Sequence, residues 1–127
     1  MSLCILAAGK MVTFSVAAFT LSWTHSVERS RWEEDWKVTP IGLQLVEARV
    51  KGSGAGMEPP EDAVLKEGWW SYAPKIGPQR RVILAASGAT GDGWTLCSVQ
   101  GCRELGKGAG DAIVLKPCES TGSSQPR

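Results

Sequence analysis

Residues 19–50, FTLSWTHSVERSRWEEDWKVTPIGLQLVEARV, carry the pattern that decides the fold. Phe19, Leu21, Trp23, His25 and Val27 alternate with Thr20, Ser22, Thr24 and Ser26. That period of two puts successive side chains on opposite faces of a β-strand. Residues 32–38 and 43–50 continue as two further strands, separated by Thr39-Pro40-Ile41-Gly42. This is a turn sequence, because proline presets φ and glycine tolerates backbone that other residues avoid.

Working outward, residues 3–7 and 12–16 are short apolar runs flanking Gly9-Lys10, which reads as a hairpin. Residues 69–72, 81–86, 93–99 and 112–118 read as four later strands divided by Gly, Pro and Ser loops. Pro60 opens a candidate helical turn over residues 61–66, with acids at its start and Gly68 beyond its end. The expectation is an all-β, mainly antiparallel domain, sandwich-like or barrel-like, of about nine short strands with at most one short helical turn. It spans residues 1–118 as a single domain, with 119–127 a polar, disordered tail.

Composition narrows the function. Fourteen basic and thirteen acidic residues leave a net charge of +1, without the basic excess of a nucleic-acid binder. No stretch approaches the roughly 20 apolar residues of a membrane span. Residues 1–10 lack the charged start and long apolar run of a signal peptide. A cytoplasmic location is the expectation from that feature, with a periplasmic or membrane-associated one as the alternative. Six tryptophans in 127 residues supply large rings for a small core or a binding surface.

A register follows from requiring Leu21, Trp23, Val27, Trp32, Trp36, Val38, Leu43 and Leu45 to share one face. With residues 28–31 and 39–42 as four-residue loops, Val27 faces Trp32, His25 faces Glu34 and Trp23 faces Trp36. Across the next turn Val38 faces Leu43, Trp36 faces Leu45, Glu34 faces Glu47 and Trp32 faces Arg49. The result is a lateral row His25–Glu34–Glu47 between tryptophans, with directly opposed Cβ atoms about 5 Å apart. Two carboxylates on an apolar face need compensation. Arg49 can close a structural ion network, a cationic or hydrogen-bonding ligand can complete a site, or a divalent metal can bind His25, Glu34 and Glu47. As acid–base groups of a hydrolase-like enzyme, His25 would act with Glu34 or Glu47. Ser26 cannot pair with its neighbour His25, since the two point to opposite faces.

The KGSGAGM loop (51–57) lacks the Gly-Lys-Ser/Thr ending of a phosphate loop, so close backbone approach near the row explains Gly54 and Gly56 better. Cys97 and Cys102 flank a turn at Gln100-Gly101 and lie within reach of a disulfide. Cys4 and Cys118, in the first and last strands, would staple the termini if those strands are neighbours. A four-cysteine zinc site is the rival, although the spacing departs from paired Cys-x2-Cys motifs.

The strings FTLSWTHSVERSRWEEDW, LVEARVKGSGAGMEPP, GWWSYAP and WTLC resemble the bacterial domain-of-unknown-function family 1850. The resemblance runs from LCILAAG to about Cys102, and the positions matching its motif are His25, Ser26, Val27, Glu28, Glu34, Glu47 and Gly54-Ala55-Gly56. It implies a small β-rich protein, often encoded beside TAXI-type tripartite (TRAP) solute transporters, with no assigned catalytic residues. It also implies an apolar leader or anchor in some relatives. The expected function is an accessory module binding a small ligand or a transporter component. Its candidate ligand-binding residues are His25, Glu28, Glu34, Glu47, Arg49, Gly54 and Gly56. A purely structural domain is the other alternative.

Overall fold

The computed structural model describes residues 2–24, 30–51, 62–85, 93–106 and 110–118. They form the strands β1 (Ser2–Ala7), β2 (Lys10–Phe14), β3 (Ala18–Thr24), β4 (Arg31–Thr39), β5 (Gly42–Lys51) and β6 (Val64–Lys66). Then follow β7 (Trp69–Tyr72), β8 (Val82–Leu84), β9 (Trp94–Ser98), β10 (Gly101–Leu105) and β11 (Ile113–Cys118). Among the described residues there is no helix, and so none long and apolar enough to cross a membrane.

Every strand pairing is antiparallel. A four-stranded sheet runs β2-β1-β11-β8, and a seven-stranded sheet runs β10-β9-β3-β4-β5-β7-β6. Their facing sides enclose one core. Leu3, Ile5, Leu84, Ile113 and Leu115 come from the smaller sheet, and Phe19, Leu21, Trp36, Val38, Leu43, Leu45 and Leu96 from the larger. Leu3, Leu43 and Leu115 are 0% exposed. Burial of such a side chain is worth about 1.5–3 kcal/mol. The architecture is all-β as expected and, of the sandwich and barrel alternatives, sandwich-like, with eleven strands among the described residues against the expected nine or so.

Local chemistry sets the connections. Ala8-Gly9 and Glu67-Gly68 both turn with positive φ at each residue (53° and 78°, 54° and 87°), the geometry that closes a two-residue hairpin with the right twist. The second turn overturns the helical reading of residues 61–66, because Val64–Lys66 pairs with Trp69 to Ser71 as β6. Gly42, at φ 155°, lets residue 79 approach: the Leu43 amide donates to the Gln79 carbonyl at 2.7 Å and the Gln79 amide returns the bond at 2.8 Å. The first and last described strands meet in the smaller sheet, where β1 pairs with β11 and a disulfide joins Cys4 to Cys118 (Cα–Cα 5.8 Å). A second disulfide joins Cys97 to Cys102 across the β9–β10 hairpin (Cα–Cα 4.0 Å).

The central register departs from the expected one in two ways. Thr24 pairs with Arg31, so Trp23 lies opposite Trp32, Leu21 opposite Glu34 and Phe19 opposite Trp36. Six residues, not four, separate that first pair. A shift by an even number keeps every side chain on its face, so alternation alone cannot choose between the two registers. Directly opposed rings favour the observed one: Phe19 stacks with Trp36 and Trp23 with Trp32.

The second departure is a β-bulge. Val38–Leu43 and Trp36–Leu45 pair as expected, but Asp35 then pairs with Glu47, leaving Val46 without an opposite residue. Beyond the bulge the faces exchange: Glu34 lies opposite Ala48, and Glu33 opposite Arg49.

Candidate functional site

The bulge dissolves the His25–Glu34–Glu47 row. Glu34 stays on the face turned toward the core, while Glu47 and Arg49 stand on the outer face. The Glu34–Glu47 juxtaposition and the Trp32–Arg49 pairing are therefore corrected, and with them a metal centre built on those two carboxylates. His25, Glu28, Gly54 and Gly56 lie outside the described residues. The apolar series in β5 is Leu43, Leu45, Ala48, Val50, a step of three in place of two. That break is the signal for a bulge, and it is visible in the sequence.

On the inner face two lateral rows result. One runs Leu96–Leu21–Glu34–Ala48–Tyr72. The next runs Trp23–Trp32–Val50–Trp70, and Trp94 closes on Trp23 with ring centroids 4.7 Å apart. Trp32, Trp70 and Tyr72 are half-buried and do not belong to the buried core cluster. Trp70 and Tyr72 were not anticipated at this position. Their alternation in WWSY is legible, but residues 52–61 hide which strand β7 joins.

Glu34 is a half-buried carboxylate in this aromatic setting. The Trp36 indole Nε1 donates to its Oε1 at 3.1 Å. Burial pushes its pKa above the usual carboxylate value, opposed by that hydrogen bond. Among the described residues no basic side chain forms an ion pair with it. Tyr72 is perturbed in turn: burial, then the nearby Glu34 charge, raises its phenol pKa.

The outer face carries the opposite solution. Arg49 bonds Glu33 (Nη2–Oε1 3.1 Å), Asp35 (Nη1–Oδ2 2.8 Å) and Glu47 (Nη1–Oε2 2.6 Å). Thr20 Oγ1 donates to Asp35 at 2.9 Å, and Arg31 Nη2 donates to Ser22 at 3.1 Å. The Arg49 guanidinium holds the Asp35 carboxyl below its usual value, and bonds to Asp35, Glu47 and Glu33 raise the pKa of Arg49. Arg49 thus closes an ion network, one of the three compensations considered, but on the outer face and with Glu33 and Asp35 in place of Glu34. Among the described residues no cluster of His, Cys, Asp or Glu has the arrangement of a metal site. All four cysteines are in disulfides, which excludes the four-thiolate zinc site.

No curated protein and no solved structure matches the chain. One family, described as a domain of unknown function (DUF1850), matches residues 19–105. That span runs from the start of the first alternating stretch to the end of β10 and includes both the Glu34 patch and the Arg49 network. The chain belongs to the DUF1850 family.

Proposed function

We propose that this domain is a non-enzymatic accessory module that binds a cationic group, on a small solute or on a partner, at the tryptophan-lined Glu34 patch. The observation that carries the reading is Glu34 itself: a half-buried carboxylate with no basic partner among the described residues. A buried charge without a counter-charge is costly, and an incoming cation removes that cost. The faces of Trp32, Trp23 and Trp70 add cation–π attraction, strongest when the cation leaves water.

The described strands hand the chain to residues 25–29 and 52–61 at the ends carrying Trp23, Trp32 and Val50. His25, Glu28, Gly54 and Gly56 are on that ground retained as proposed members of the site, and Glu47 and Arg49 are not. Of the two hydrolase-like acid–base pairs, His25 with Glu34 and His25 with Glu47, at most one can form, since Glu34 and Glu47 lie on opposite faces of one sheet. Service to a TAXI-type TRAP solute transporter rests on the family resemblance. Two disulfides support an oxidising compartment, where such a transporter captures its solute.

The test is titration of the purified domain with methylammonium, guanidinium and tetramethylammonium, against neutral tert-butanol, read by tryptophan fluorescence and calorimetry. A cation should give a saturable response that weakens at least tenfold in Glu34→Gln and persists in Glu47→Gln. Equal responses in both variants would sink the reading. Mixing the domain with a TAXI-type solute-binding protein from the same organism tests the partner: Glu34-dependent association is expected.

A further inference from the structure

We infer that Cys97–Cys102 is a site of thiol–disulfide exchange, opened at Cys102 by an external dithiol while Cys4–Cys118 stays closed. The argument is one of access. β10 is the terminal strand of the seven-stranded sheet, and Cys102 on it is exposed. Exchange requires the attacking thiolate to approach the target sulfur in line with the sulfur that leaves. The line from Cys97 through Cys102 runs off the sheet edge, so approach to Cys102 is open. Approach to Cys97 from behind meets β3, where Thr20 is its register partner.

The leaving sulfur has a place to go. Cys97 lines an outer-face groove of about 380 Å³ together with Thr20, Asp35, Lys37, Val46 and Val99. The Asp35 carboxylate is already engaged by Arg49 and Thr20, and among the described residues the one cationic side chain lining the groove is Lys37. Cationic neighbours favour the thiolate. The reaction balances as two exchanges. The external thiolate bonds to the Cys102 sulfur and the Cys97 thiolate leaves; the second thiol of the dithiol then displaces Cys102. The dithiol is oxidised to a disulfide, and Cys97 and Cys102 become thiols.

The other bridge lacks this access. Cys4 is 2% exposed on an inner strand, with Thr13 Oγ1 3.3 Å from its sulfur. Opening Cys97–Cys102 also leaves the hairpin held by other contacts. Arg103 sits over the Phe14 ring at 4.8 Å, and Gln100 Nε2 donates to the Ser15 carbonyl at 3.1 Å. The bridge closes a short loop, so its removal releases little chain entropy.

The experiment treats the oxidised protein with limiting dithiothreitol under native conditions, alkylates the thiols and maps them by mass spectrometry. Cys97 and Cys102 should be labelled at least tenfold faster than Cys4 and Cys118, with an unchanged circular dichroism spectrum. Simultaneous opening of both bridges, or loss of the spectrum on first labelling, would overturn the inference. A protein dithiol of the Cys-x-x-Cys type, with its resolving cysteine changed to serine, distinguishes the two sources of thiol. Capture through Cys102 supports a protein donor. Rapid opening by dithiothreitol without capture supports a small-molecule one, and capture through Cys97, Cys4 or Cys118 contradicts the geometry.

Discussion

Glu34 and Asp35 are adjacent in sequence, yet their pKa values move in opposite directions because they face opposite sides of β4. Glu34 is raised by burial from 4.5, so the protonated form is the one the fold favours. Its contribution is fully present below the unfolded value and is lost as pH rises through the raised folded value. Glu34→Gln, which keeps an acceptor for Trp36, should therefore raise the melting temperature at pH 7. That gain should vanish below about pH 4, and thermal scans across pH read it directly. Higher stability with weaker cation binding is the pairing expected when a side chain is kept for a site. Asp35 behaves in the reverse sense: its stabilisation is present above 3.8 and fades as pH falls through the depressed folded value. Arg49→Ala should lower stability by about 1–2 kcal/mol at neutral pH, since partly exposed ion pairs contribute little individually. Urea midpoints measure that loss. It should shrink in acid, as Asp35 takes up its proton.

At the scale of the elements, the bulge in β5 separates an inner carboxylate patch from an outer ion network. Deleting Val46 removes the one residue of this stretch without an opposite partner, and unbroken alternation from Leu45 then keeps Glu47 and Arg49 outward with Ala48 and Val50 inward. The expected outcome is a domain that still folds, seen as retained dispersion in the amide NMR spectrum, because Ala48 and Val50, 3% and 1% exposed, keep their buried places. Loss of dispersion would mean that the bulge itself is required. The Gly42 contact gives a milder test. A Cβ there would meet the Gln79 carbonyl oxygen at 2.6 Å, and the backbone φ of 155° is one that L side chains rarely adopt. Gly42→Ala should cost about 1–3 kcal/mol, with the denaturant midpoint falling and its slope unchanged.

In the whole molecule, the two disulfides act on different lengths of chain. Cys4–Cys118 spans a separation of 114 residues and Cys97–Cys102 one of 5. Loop-closure entropy then assigns about 5 kcal/mol to the first and about 2 kcal/mol to the second. The double variant Cys4→Ser/Cys118→Ser should accordingly lose more stability than Cys97→Ser/Cys102→Ser. Comparable losses would mean that strain or residual denatured-state structure outweighs chain entropy. The same contrast underlies the exchange chemistry at Cys102: a bridge whose opening releases little chain can open without unfolding the sandwich.

The sequence by itself determined nine of the eleven described strands, missing β6 and β10, together with the face each residue of β3 and β4 occupies. Those depend on local periodicity and turn chemistry, and the four-residue slip between the two registers leaves them untouched. It also placed Cys97 near Cys102 and brought Val38 opposite Leu43, since both pairs sit beside tight turns. Three matters were settled only by tertiary structure. The offset between β3 and β4 was set by stacking of Phe19 on Trp36 and Trp23 on Trp32, which alternation cannot distinguish from its neighbours. The exchange of Glu47 and Arg49 to the outer face came from burying Ala48 and Val50, a three-residue step that outweighed strict alternation. The company of Glu34, with Tyr72 and Trp70 from β7, came from a pairing across residues 52–61. Long-range pairing is decided by which surfaces bury together, and no local spacing encodes it.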